Sequence, residues 1–445
     1  MRQNISECAV NHIKRQTRQT AGGRVSQISG GTVDVTGLGA ALCLGDLVIV
    51  NSRQGVRRGQ VVRLHSQTAS ILLDNGTSGI AIGDRAQADE SSYFAPDVSW
   101  LGRVVDPNGQ PLDGAALLPG LRRANIDGPA LPAHSRRKLG ARLETGMAVF
   151  NTFLPIVKGQ RIGIFAGSGV GKSTLLGDLA KGIDADVVVI GLVGERGREL
   201  QQFVAETIGP SGMQRTVIIA ATSDQAPQIR RRCAPSAMAV AEYFRDQGKH
   251  VLLLIDSVTR FCEAHRELSV AGGEMANLRG YPASTGPAIA TLCERAGPGA
   301  SDAGDITAIF TVLVAGSDMD EPVADMLRGV LDGHVVLERE IAERGRFPAV
   351  NVLKSVSRSL PDAASDIENK LLSAGRSLLG QFDRSALMVQ SGLYSAGSDE
   401  KIDKAIAAYP LLDEFLSLKD GRGTIAHFAK LRQATSNLKS SDTNI

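Results

Sequence analysis

Apolar residues recur along this chain with several different periods, and the changes of period divide it. Up to about residue 20, Ile5, Ala9 and Ile13 stand four apart among Arg2, Lys14, Arg15 and Arg18, the spacing of a short amphipathic helix. Residues 1–20 are expected to order against a partner protein, with a frayed terminus as the alternative. Over 21–97 the pattern turns to short β-branched runs: Arg24 to Ile28, Thr32 to Val35, Leu47 to Val50, Gln60 to Leu64 and Ser70 to Leu73. Closely set glycines separate them, which predicts a small N-terminal β-barrel. The stretch 98–158 carries Pro107, Pro111, Pro119, Pro129, Pro132 and Pro155, a density that disfavours regular structure and predicts a connector wrapping the next domain. Its basic run Arg136-Arg137-Lys138 is expected to be a solvated face.

From Arg161 strands and helices alternate. Strands are predicted at Ile162 to Phe165, Asp186 to Val193, Thr216 to Ala221, Val251 to Ile255 and Ile306 to Val314, with helices over Arg198 to Ile208 and Gln228 to Gln247. Such alternation predicts a parallel sheet covered on both faces, with ligands at the carboxyl ends of its strands. After about Pro361 the period becomes helical, in Ile367, Leu371, Ala374 and Leu378 and again in Ile402, Ala405, Ile406, Leu411 and Leu412, so 361–445 is expected to be a C-terminal helical domain. The fold class is therefore multidomain α/β.

One loop carries chemistry. Between the strand ending at Phe165 and the helical spacing of Leu175, Leu176, Leu179 and Ala180 lies Ala166-Gly167-Ser168-Gly169-Val170-Gly171-Lys172-Ser173-Thr174. Glycines let backbone N–H groups converge on phosphate oxygens, the helix N-terminus adds positive charge, Lys172 can reach terminal phosphates and the Ser173 hydroxyl can ligate Mg²⁺. The first position of the usual phosphate-loop pattern is Ala166 rather than glycine. Asp256, ending an apolar strand, suits a Walker B acid, with a helix cap as the alternative. Glu195 follows the strand Val187 to Val193 at the same sheet edge and suits a general base or water-orienting group; a first-turn glutamate is the alternative, which Glu199 fits better.

Composition narrows the partners. Among 445 residues, 49 Lys and Arg balance 47 Asp and Glu for a formal charge of +2, so no global field recruits nucleic acid or an anionic membrane. The cysteines, Cys8, Cys43, Cys233, Cys262 and Cys293, are odd in number and scattered, which argues for reduced thiols, with neither disulfide nor zinc expected. No apolar stretch has the length of a membrane span, so a cytoplasmic chain is expected, reaching membranes through partners.

The motifs in order are A-G-S-G-V-G-K-S from Ala166, V-G-E-R-G-R-E from Val193, L-L-L-I-D-S-V-T-R from Leu252, E-R-A-G from Glu294, E-P-V-A-D from Glu321, L-D-G-H-V-V-L from Leu331 and R-F-P-A-V-N-V-L-K-S-V-S-R from Arg346. This order resembles the F1/V1-related hexameric ATPases and, more narrowly, the flagellum-specific export ATPases of type III secretion; matching runs extend from Gly102 to Ala408. The resemblance implies a RecA-like central ATPase domain over 98–360 and binding of ATP with Mg²⁺. It also implies that Lys172 and Ser173 are phosphate and metal ligands, Asp256 the Walker B acid, Glu195 the catalytic glutamate, Phe347 the aromatic on adenine and Arg358 an arginine finger reaching the neighbouring subunit. A homohexamer peripheral to the inner membrane at the flagellar base is implied. Its implied partners are a stator-like regulator at the N-terminal segment, a central stalk-like coiled coil, the export gate and chaperone–substrate complexes. The rival readings are the ATPase of a virulence or symbiosis injection system and a rotary ATP synthase catalytic subunit, whose acidic D-E-L-S-E-E-D-type segment this tail lacks. A ring helicase on nucleic acid is opposed by the near-neutral charge, and a non-catalytic ring subunit by Glu195.

Overall fold

In the computed structural model, residues 22–38, 41–89, 94–314 and 319–436 are described, so the segment 1–20 lies outside them. Alternation builds the first unit. Strand β2 (Thr32–Thr36) buries Val33 and Val35 and turns Thr32, Asp34 and Thr36 outward, as a half-buried strand must. With β1 (Gly22–Ser29), β3 (Leu47–Ser52), β4 (Gly55–Leu64), β5 (Thr68–Leu73) and β6 (Arg85–Ala88) it closes a barrel in the order β1-β2-β5-β4-β3-β6. The four residues of β6 carry no run of apolar side chains and were not expected; they close the barrel by pairing with both β1 and β3.

The central sheet runs β17 (Val350–Ser357), β16 (Gly333–Leu337), β8 (Arg161–Ala166), β15 (Asp305–Leu313), β11 (His250–Asp256), β9 (Val187–Glu195), β10 (Thr216–Thr222) and β7 (Val104–Val105). The expected parallel sheet is corrected at its margin. β17 pairs antiparallel with β16, and the short β14 (Gly297–Pro298) pairs antiparallel with β15. A separate hairpin joins β12 (Ala276–Leu278) to β13 (Tyr281–Pro282). The proline-rich stretch also contributes to the sheet, because Val104 and Val105 pair with Ile218 and Ile219.

Two further expectations are corrected. The single helix over Arg198 to Ile208 is a helix Gly197–Gln202 that continues as a π-helical segment Phe203–Ile208. Gly177 makes room for it, since a Cβ there would stand 2.3 Å from the Thr207 methyl. The basic run is only in part a solvated face: Arg136 donates to the carbonyls of Leu131, Glu294 and Ala296, and the exposed Arg137 to those of Ala303 and Gly304 and to Asp305 Oδ1 at 2.6 Å. Arg136 is half-buried, whereas Arg137 and Lys138 are exposed. The prolines before the run leave no helix to project the two arginines, so their guanidinium groups fold back onto carbonyls at and after the end of the helix Thr285–Glu294.

The tail forms helices Asp366–Gln390, Glu400–Ser417 and Gly423–Ser436, the first started by a capping box of Ser365 and Glu368. Their Leu372, Leu412, Phe415 and Leu431 share one core with Leu176 and Leu179 beneath the phosphate loop; the opposite sheet face and the barrel have cores of their own. The barrel is fastened to the sheet unit by Arg63, donating to Ala271 O and Gly272 O at 3.2 Å, and by Gln228, donating to Asp74 Oδ1 at 2.7 Å.

Candidate nucleotide site

Strand β8 pairs as far as Ala166, where β15 and β16 still flank it at Leu313 and Leu337. The position occupied by glycine in the usual pattern is therefore ordinary paired strand, which tolerates a methyl group. Beyond it the chain must turn sharply. Gly169 and Gly171 adopt φ of 79° and 85°, conformations open to glycine at little cost, and buried Val170 pins the loop to the core between them. The helix Lys172–Gly182 begins immediately, so its free N–H groups and Lys172, Ser173 and Thr174 all stand at the loop.

Two other strand ends meet this loop. At the end of β11, Asp256 is 3% exposed, forms an ion pair with the Lys172 ammonium and accepts from Thr311 Oγ1 at 2.7 Å. The cap of the following helix Val258–Ala271 is Ser257, which leaves Asp256 free of the capping role. At the end of β9, Glu195 faces the same cleft of about 240 Å³, lined also by Ser173, Thr174, Asp256, Glu199 and Phe203. Burial pushes the Glu195 carboxyl up to about 7; the Asp256 carboxylate adds to the rise, Lys172 opposes it, and Glu199 adds to it again. Glu199 sits in the first turn of Gly197–Gln202 and accepts from Arg196 at 3.1 Å.

Phe347 lies outside the sheet yet reaches the loop. A Cβ on Gly171 would come within 3.3 Å of its ring, and the residue is 46% exposed, so an apolar plate stands open beside the phosphate loop.

Arg358 does not join this group. Leu337 pairs with Ala166 and with Val350, whereas Ser357 pairs with Gly333 at the other end of β16. Arg358 therefore lies about 13 Å back along the strands and about 10 Å across them from Ala166. Its guanidinium is exposed and donates to Arg328 O at 3.2 Å.

Two contributors were not foreseen in the sequence. Thr311 is a threonine within an apolar strand, 55 residues from the aspartate it holds. Arg260 passes over Gly194, where a Cβ would be 3.5 Å from its side chain, and its buried Nε finds no partner among the described residues. Its Nη1 donates to Glu263 Oε2 at 3.2 Å, so the guanidinium is only partly satisfied near the strand end that carries Glu195, an arrangement that suits an anionic ligand. The oxygen set of Ser173, Asp256 and Glu195 suits Mg²⁺, a hard cation that takes one or two carboxylates and completes its shell with phosphate and water. Among the described residues no group of three or more His, Cys, Asp or Glu forms a metal cage, and Mg²⁺ with a nucleotide needs none. No helix of the described residues is long and apolar enough to cross a membrane.

Comparison with known proteins agrees with this geometry. Residues 146–357 match the nucleotide-binding domain of the ATP synthase alpha/beta family, and residues 365–433 match the T3SS EscN ATPase C-terminal domain. The chain is 41% identical over 413 residues to the flagellum-specific ATP synthase of Caulobacter vibrioides, covering 91% of this chain and 93% of the relative. It is 38% identical over 406 residues to that of Salmonella typhimurium, covering 88% and 89%. The assembled ATPase EscN of the enteropathogenic E. coli type III secretion system superposes with a TM-score of 0.85 at 33% identity, over 93% of this chain and all of that one. EscN in complex with its central stalk EscO superposes with a TM-score of 0.83, at the same identity and over the same 93% of this chain. The phosphate loop, its strand-end carboxylates and the helical tail thus identify the chain as a member of the family of flagellum-specific ATP synthases and type III secretion ATPases.

Proposed function

We propose that this chain is the ATP-hydrolysing motor of flagellar type III protein export, acting as a homohexamer with each site completed by the neighbouring protomer. The observation that carries the shared site is the separation within one sheet: Lys172, Ser173, Asp256 and Glu195 converge on one cleft, while Arg358 stands at the far end of β17. Bound Mg²⁺, held by Ser173 and Asp256, would neutralise phosphate charge. Lys172 leaves Asp256 for the terminal phosphates, and Phe347 packs on the base. Glu195, ionised, accepts a hydrogen bond from the attacking water and aligns it. The Arg358 guanidinium of the adjacent protomer faces the charge that develops on the transferred phosphoryl group.

Identity favours the flagellar system: 41% and 43% to flagellum-specific relatives against 33% to EscN. EscN's assembly, and its complex with the central stalk EscO, support a ring with a stalk-like partner. A place at the cytoplasmic face of the flagellar base follows from this reading. So do contacts of the N-terminal segment with a stator-like regulator, and of the helical tail with the export gate and chaperone-bound substrates. The decisive measurement is steady-state ATP hydrolysis against protein concentration, with oligomer mass recorded on the same samples. Specific activity should climb as rings appear; full activity in a monomer would sink the shared site. Loss of swarming on deletion, with an injection system left intact, tests the flagellar assignment.

A further inference from the structure

At the end of β17 exposure alternates residue by residue. Ser357 and Ser359 are buried, and Arg358 between them is exposed. The Ser357 hydroxyl donates to Pro155 O at 2.7 Å, and the Ser359 hydroxyl donates to the same carbonyl at 3.2 Å. The Arg358 amide donates to Asp332 O at 3.0 Å. The Asp332 carboxylate is held by Arg161, through its backbone N–H and Nε at 3.0 Å and its Nη2 at 3.1 Å.

Gln160 joins these pieces. Its side chain is fully buried, and Oε1 accepts from Val157 N at 2.9 Å. Nε2 donates to Asp332 O at 3.1 Å and to Ser357 Oγ at 3.2 Å. A buried amide is costly unless its donors are used. Both donors here go to the groups that fix the backbone on either side of the Arg358 amide. Among the described residues the guanidinium hydrogen-bonds the Arg328 carbonyl alone, so its aim is set from the backbone side.

We propose that Gln160 is a positioning residue for Arg358, and that its effect is felt in the neighbouring protomer's site rather than in its own. The inference rests on Arg358 acting in trans. It assigns to a residue adjoining the phosphate-loop strand β8 a role away from the cleft at that strand's other end. Arginine fingers work by geometry, and a small misplacement of a transition-state group costs up to about a hundredfold in rate.

The test uses the full-length chain assembled as rings. Gln160→Met keeps the volume and removes both donors. It should lower kcat by about 10- to 100-fold while KM for ATP stays within about twofold. Mixing Gln160→Met with Glu195→Gln protomers separates the two sites. Glu195→Gln lacks the base but offers an intact finger, so mixed rings should turn over faster than either variant alone. Arg358→Ala mixed with Glu195→Gln is the control and should be rescued likewise. If Gln160→Met fails to assemble, Ser357→Ala enters the same mixing experiment. Wild-type kcat in the tested variant overturns the proposal. So does a loss that mixing does not repair while the Arg358→Ala control is repaired, because the defect is then in the variant's own site. Rescue of neither overturns the trans finger itself, and the role of Gln160 with it.

Discussion

At the scale of single residues, Glu195 is the most informative group. A carboxyl raised from its ordinary 4.5 to about 7 holds its proton more tightly in the folded chain than in the unfolded one. The linked contribution to stability is complete below the unfolded value and is lost as the pH rises through about 7. Glu195→Gln removes this titration. Its midpoint of thermal unfolding should therefore exceed that of the wild type increasingly from about pH 5 to pH 8; a difference that does not grow with pH refutes the raised pKa. The same substitution should retain nucleotide binding and lose turnover. In the wild type, kcat/KM should rise with pH through about 7, because only the carboxylate can accept a hydrogen bond from water. Lys172, Ser173, Asp256 and Glu195 were legible in the sequence because each sits at a strand end or helix start whose pattern is local. Thr311, Arg260 and Gln160 were not, because their partners are fixed by the register of strands distant in the chain.

At the scale of elements, legibility followed length. The runs of β8, β9, β10, β11 and β15 are long and apolar enough to announce buried parallel strands. The two residues of β7 and the four of β6 are defined only by what they pair with. The π-helical turn arises from packing, where a bare glycine on the phosphate-loop helix admits Thr207. The inward turn of Arg136, where a solvated face was expected, has an energetic consequence. A hydrogen bond from a charged donor to a partly buried carbonyl contributes about 1.5–3 kcal/mol, and several made by one side chain do not add. Arg136 is only 14% exposed in its side chain and makes three contacts of that kind. Arg136→Ala should therefore lower unfolding free energy by about 2–3 kcal/mol in urea titrations. A change within about 0.5 kcal/mol, as at an ordinary surface site, would restore the solvated reading.

At the scale of the whole molecule, the barrel keeps a core of its own, but the other cores do not follow the blocks of sequence. The tail helices share theirs with the phosphate-loop helix, and His427, fully buried in Gly423–Ser436, lies 2.8 Å from Asp420 Oδ1 and 3.2 Å from Asn151 Nδ2. Hydrogen exchange in rising denaturant should therefore release the helices Lys172–Gly182 and Glu400–Ser417 together, and the barrel separately. Early release of the tail alone, with the phosphate-loop helix still protected, would contradict a common core. The separation of Arg358 from its own cleft also makes the assembly countable. A protomer owns a finger it cannot use and a cleft it cannot finish. In any open arc one cleft at one end and one finger at the other go idle, however long the arc grows, and only closure engages the last pair. Turnover per protomer is then a gauge of ring closure, rising by steps that shrink as arcs lengthen and becoming complete when the two ends meet.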